Sequence, residues 1–158
     1  MANAVRIAVT GLSKISSVAD DGAYRALQWD TFEQYGGWSA TGTQDFSVPA
    51  SGFYFLSADF TALSPKDSSK RPALRFVAVN RRSQGESELL RSYNSTIVPN
   101  TYITCSLRGV TYMDKDSALI FRANAPAGTG AWEVSPGSRS SGQLNSFAAV
   151  LIAPNASR

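Results

Sequence analysis

Residues Phe46 to Phe60 read FSVPASGFYFLSADF, and the fold is decided by how this stretch is read. Two short apolar runs flank a turn signal. Val48-Pro49 closes the first run, because proline brings no N–H to a strand ladder and pushes its neighbour towards extended backbone. Ala50-Ser51-Gly52 supplies the turn. In the second run, side chains alternate between faces with a period of two. Tyr54, Leu56, Ala58 and Phe60 fall on one face, Phe53 and Phe55 on the other. A sheet with one wet face alternates apolar with polar. At the start of this strand both faces are apolar. Both are therefore expected to be covered, by the rest of the chain or by another copy of it.

Two other stretches share this property. Ala118–Ala123 (ALIFRA) is apolar on both faces except at Arg122, and Phe147–Ala153 (FAAVLIA) throughout. Further strands are expected at Val5–Val9, Ala73–Val79, Thr101–Tyr112 and Ala131–Val134, with a bulge or turn at Gly109. Tyr24–Gly37 reads as a strand followed by a wrapped loop broken by Gly36-Gly37, and WSATGT then leads into Phe46. Asn80–Glu88 is a polar connection, Leu89–Val98 is weakly patterned, and Leu12–Val18 offers Leu12 and Ile15 as anchors. In the turn Met113–Ser117 the carboxylates flank Lys115 and are expected to pair with it. About eight to ten short strands at even spacing predict an all-β, two-sheet antiparallel sandwich or jelly roll. If the three doubly apolar strands are neighbours, one sheet has an apolar outer face. A symmetric homo-oligomer is the simplest cover for it, and loops such as Tyr24–Gly37 are the alternative.

Composition narrows the function. The 158 residues fit one domain, 1–158, and 43% hydrophobic with 17% charged residues suits an ordered chain. The net charge is +3, with no basic run longer than Arg81-Arg82, so no nucleic-acid partner is expected. There is no histidine, which removes the commonest general base and metal ligand together. The one cysteine, Cys105, sits in a strand pattern as a small apolar group. No P-loop or G-x-S-x-G motif is present, and no pair of carboxylates stands out. Neither catalysis, nor a cofactor, nor a metal is expected. No apolar run approaches the ~20 residues of a membrane span, so no membrane partner is expected either. Trp29, Tyr35, Trp38 and Trp132 are of a type that stacks on sugar rings, and also of a type that covers a core edge.

Three motifs carry a family resemblance. They are Phe46-x-Val48-Pro49-x-x-Gly52-x-Tyr54, the hairpin stretch Ser106-Leu107-Arg108-x4-Met113-Asp114-Lys115-Asp116-Ser117-Ala118-Leu119, and the closing Ser146-Phe147-x-Ala149-Val150-Leu151-Ile152. In order and spacing they resemble the C1q/tumour-necrosis-factor-like jelly rolls. Asp114-Lys115-Asp116 replaces that family's hairpin Gly-Asp, and Ala149 its last-strand glycine. The resemblance implies a homotrimer packed around a threefold axis, with Phe53, Phe55, Ile120 and Val150 at the trimer interface. The start of the chain lacks the charged and apolar pattern of a signal peptide, and no collagen-like stalk is present. In that form it looks like the stand-alone bacteriophage members. The resemblance then implies a non-enzymatic virion protein, made in the host cytoplasm, that decorates and stabilises the outer capsid surface with the major capsid protein as its partner. A tail-fibre or spike module binding a receptor or glycan is the alternative. Met1–Lys14, with Val5, Arg6 and Ile7, is either a capsid-docking arm or simply the first strand.

Overall fold

The computed structural model describes residues 4–12, 17–67, 70–134 and 145–155, with backbone alone at 31 and 32. Residues 1–3 and 13–14 of the possible docking arm, the anchor Ile15 and the whole of 135–144 lie outside them. Among the described residues, thirteen strands form two antiparallel sheets of seven and six. The strands are β1 (Arg6–Leu12), β2 (Ser17–Val18), β3 (Arg25–Ala26), β4 (Trp29–Tyr35), β5 (Ser39–Thr41), β6 (Asp45–Ser47), β7 (Gly52–Leu63), β8 (Ala73–Arg82), β9 (Gly85–Ser95), β10 (Tyr102–Met113), β11 (Ala118–Asn124), β12 (Trp132–Val134) and β13 (Ser146–Pro154). The first sheet runs β4-β1-β13-β7-β10, with β12 and β2 extending it beside the end of β7. The second runs β5-β6-β11-β8-β9, with β3 on β11. This is the expected all-β, two-sheet sandwich.

The strand at Phe53 is the spine of the first sheet. β7 pairs with β10 over its whole length and with β13 over most of it. Tyr54, Leu56, Ala58 and Phe60 are buried between the sheets, as the period of two requires. They meet Phe46 from β6, Phe76 from β8, Phe121 from β11 and Phe147 from β13 in one apolar cluster. Its rings stack edge-on or tilted: Phe121 lies 4.5 Å from Phe147, and Trp29 lies 5.0 Å from Phe147 at 72°. Such offset and T-shaped contacts add to the burial of area.

Several local expectations are corrected. WSATGT, expected only to lead into Phe46, supplies β5, which turns back to pair with the first apolar run as the hairpin β5–β6. The weakly patterned 89–98 belongs to an edge strand, β9, exposed or half-buried throughout. An edge strand with one wet face and little cover carries no strong hydrophobic period, which hid it. Asn80–Glu88 shrinks to a tight hairpin, because β8 runs to Arg82 and β9 starts at Gly85. No bulge occurs at Gly109, which stays in register with Leu56; a Cβ there would come within 2.9 Å of Leu90. The irregularity lies instead in β13, between Leu151 and Ala153. Asp114 pairs with Arg82 at 2.9 Å, not with Lys115.

Candidate interaction face

The register places one row of side chains straight across the outer face of the first sheet. Tyr35 on β4 lies opposite Arg6 on β1, Arg6 opposite Val150 on β13, Val150 opposite Phe55 on β7, and Phe55 opposite Val110 on β10. Alternation then puts Phe53 and Tyr112 beside this row, their rings 5.4 Å apart and edge-on. Phe53 is 49% exposed, Phe55 43%, Val110 56% and Ile152 54%, although large apolar side chains on sandwich strands ordinarily face the core. The Arg6 guanidinium lies over the Tyr35 ring at 4.7 Å, so even the cation of this row is held against an aromatic face.

Further along the strands the face turns small and then polar. Ala8, Ala148 and Ser57 form the next row, flanked by Glu33 and Arg108. Beyond it, Asp59 accepts from Ser106 Oγ at 2.5 Å and from Arg108 at 3.2 Å. The lane of small residues lets a second surface approach closely, and the charged cluster fixes which end is which. The face has the makings of a contact surface: an aromatic centre with a polar rim.

The expected site residues divide on this geometry. Phe53, Phe55 and Val150 share the face. Ile120 does not: it lies on β11 in the second sheet and is 1% exposed within the single chain. Its neighbours across the register are Val79 and, one step on, the pair Arg122–Val77. Arg122 holds Glu86 with two hydrogen bonds of 2.7 and 2.6 Å, and this pair lines a shallow pocket floored by Val77 and Val79. Ile120, Val77 and Val79 are thus buried within the single chain, the two valines beside this ion pair, and no second subunit is required there. The Arg122 guanidinium holds the Glu86 carboxyl below its ordinary value.

Val5, Arg6 and Ile7 do not form a free arm. Arg6 and Ile7 belong to β1, paired on both sides by β13 and β4, and Ile7 is buried in the core. The three indoles offer no sugar platform, since Trp29, Trp38 and Trp132 are 0, 4 and 0% exposed. Trp132 donates Nε1–H to the Ala73 carbonyl at 3.0 Å, and Trp38 packs edge-on to Tyr54. Burial pushes the Cys105 thiol up to about 12, so it is no nucleophile at neutral pH. Sequence reading missed Val110 and took Tyr35 for a sugar-stacking aromatic; the place of both on this face follows from strand parity once β10 and β4 are neighbours of β7 and β1.

No protein-family model and no curated protein matches the sequence. Solved structures do match its shape. The Eiger TNF structure from S. frugiperda superposes with a TM-score of 0.67 over 98% of this chain and 96% of that one, at 13% identity. The fold is that of the TNF-like jelly rolls. The structure of murine APRIL at pH 5.0 gives 0.64 over 94% and 99%, at 16% identity. The jelly roll is thus shared over essentially whole chains, although few residues are, as expected where the strand pattern rather than particular side chains specifies the fold.

Proposed function

We propose that this chain is a non-catalytic structural module that closes into a homotrimer through the outer face of its first sheet, and that the trimer decorates and stabilises the outer surface of a virus capsid. One observation carries the self-association: the outer-face row Tyr35, Arg6, Val150, Phe55 and Val110 on five paired strands, with Phe53 and Tyr112 beside it, in which Tyr35, Phe53, Phe55 and Val110 are exposed. Contiguous apolar surface of this kind marks an interaction site. A face built from paired strands is rigid, so little ordering entropy is lost when it docks. The TNF-like jelly roll and the family resemblance of the three sequence motifs support a trimer over a dimer. The same resemblance, to stand-alone phage members, supports the capsid setting. The glycan-binding alternative loses three of its four aromatics, because all three indoles are interior and only Tyr35 is exposed.

Light scattering on a size-exclusion column tests the self-association. Three times 16.9 kDa is expected, and a monomer at micromolar concentration overturns it. Capsids prepared with and without the protein test the role: those lacking it should release their contents at lower temperature, and equal thermal release overturns it.

A further inference from the structure

One corner of the sandwich combines exposure with rigidity. The β9–β10 connection carries Ile97, the most exposed large apolar side chain among the described residues at 81%, followed by Val98 at 54%. These residues do not stand out because the loop is loose. Buried Ser64 ties the connection down: its N–H donates to the Thr101 carbonyl at 2.8 Å, and its hydroxyl donates to the Val98 carbonyl at 3.1 Å. The same hydroxyl accepts from Thr101 N–H at 2.9 Å. Asn100 N–H donates to the Pro65 carbonyl, Thr96 N–H to that of Pro72, and Val98 N–H to Thr96 Oγ1. Asn100 takes the left-handed φ of 51° that the turn requires. Ile97, Pro65, Pro72 and Pro99 line a groove there with Lys66 and Asp67. The β7–β8 connection carries the exposed Lys66 and Arg71 beside Asp67, and residues 96–101 carry no charge.

We propose that this corner is the docking end of the molecule, and that its occupant is an acidic protein surface of the capsid with an apolar recess that takes Ile97. The proposal deepens the capsid reading and rests on it for the identity of the partner. An aliphatic knob on a hydrogen-bonded turn loses little entropy when it enters a recess, which is the property of an interface anchor. Excess positive charge around the knob selects carboxylates on the partner and speeds encounter. The corner lies where β7 ends and β10 begins, at the opposite end of the strands from Phe53 and Phe55. Self-association through that far half of the sheet therefore leaves it open. A threefold axis running along the strands turns all three copies to one end of the trimer. Three weak contacts to one rigid surface then act together, with a gain in avidity and no new contact type.

The test uses the full chain, capsids of the encoding virus purified without the protein, and vesicles of phosphatidylcholine with phosphatidylserine. Wild type should bind the capsids, less tightly as salt is raised. Ile97→Ser should keep the wild-type mass and melting temperature yet bind about tenfold or more weaker. Lys66→Glu with Arg71→Glu should weaken binding and flatten its salt dependence. Capsid binding that Ile97→Ser leaves unchanged overturns the docking corner while the capsid role stands. Wild-type trimers that ignore capsids overturn both. Vesicle binding lost on Ile97→Ser, without capsid binding, assigns the corner to a lipid surface and equally overturns the proposal.

Discussion

Gly52 shows how a residue can be read correctly for the wrong reason. In sequence it looks like the end of a turn. In the structure it opens β7, paired with Met113 on one side and Pro154 on the other. What demands glycine is space: a Cβ would come within 2.5 Å of the Ala153 carbonyl oxygen and 2.7 Å of Leu151 Cδ1. The crowding follows from the bulge in β13, which no local pattern announces. Gly52→Ala should therefore destabilise by about 1–3 kcal/mol, the usual cost of overpacking, read as a lower urea midpoint at unchanged slope. Cys105 is the opposite case, legible from its strand parity alone and buried as expected. With its thiol pushed up to about 12 by burial, it should resist a disulfide reagent at mildly alkaline pH and react at once in denaturant. Fast labelling of the folded protein would mean that β10 opens locally.

Double-sided apolar strands were visible from alternation, but what covers each one was not. All three expected strands exist, and their second faces are of two kinds. β7 and β13 are neighbours and leave Phe53, Phe55 and Val150 outside. β11 sits in the other sheet, where Arg122 and Glu86 roof the neighbouring valines. Parity fixes which residues share a face, whereas pairing between distant strands fixes what lies over it, and only the first is written locally in the sequence. The two situations respond differently to mutation. Ile120→Ser should destabilise the subunit by about 2–5 kcal/mol, because it opens a cavity and buries a hydroxyl. Glu86→Gln should cost at most about 1 kcal/mol at neutral pH, since the pair is partly exposed and screened. The sign with pH follows from Glu86 titrating lower in the folded state. Its contribution is complete above the unfolded carboxyl value and disappears as pH falls through the folded one. Urea melts of wild type and Glu86→Gln should converge in acid; a gap that persists there would show that the ion pair is not its source.

At the scale of the whole molecule, folding and assembly become one equilibrium if the apolar face closes a trimer. The melting temperature then depends on protein concentration, because unfolding one trimer releases three chains. A tenfold rise in concentration stabilises the trimer by twice about 1.4 kcal/mol, or about 0.9 kcal/mol per subunit. For a subunit of this size that corresponds to roughly 2–4 °C per decade in reversible melts. Phe55→Ser should abolish the dependence without harming the subunit. The side chain is 43% exposed and belongs to no part of the buried cluster, so its loss should change the stability of the isolated subunit by about 0.5 kcal/mol or less. Leu56→Ala, one residue along and fully buried, should do the reverse: the concentration dependence persists while every melting temperature falls, by the equivalent of about 2–5 kcal/mol. The two neighbours therefore separate the assembly surface from the subunit core on one strand. A melting temperature of the wild type that is flat across two decades of concentration would place Phe53 and Phe55 against a different partner, and would leave the jelly roll itself untouched.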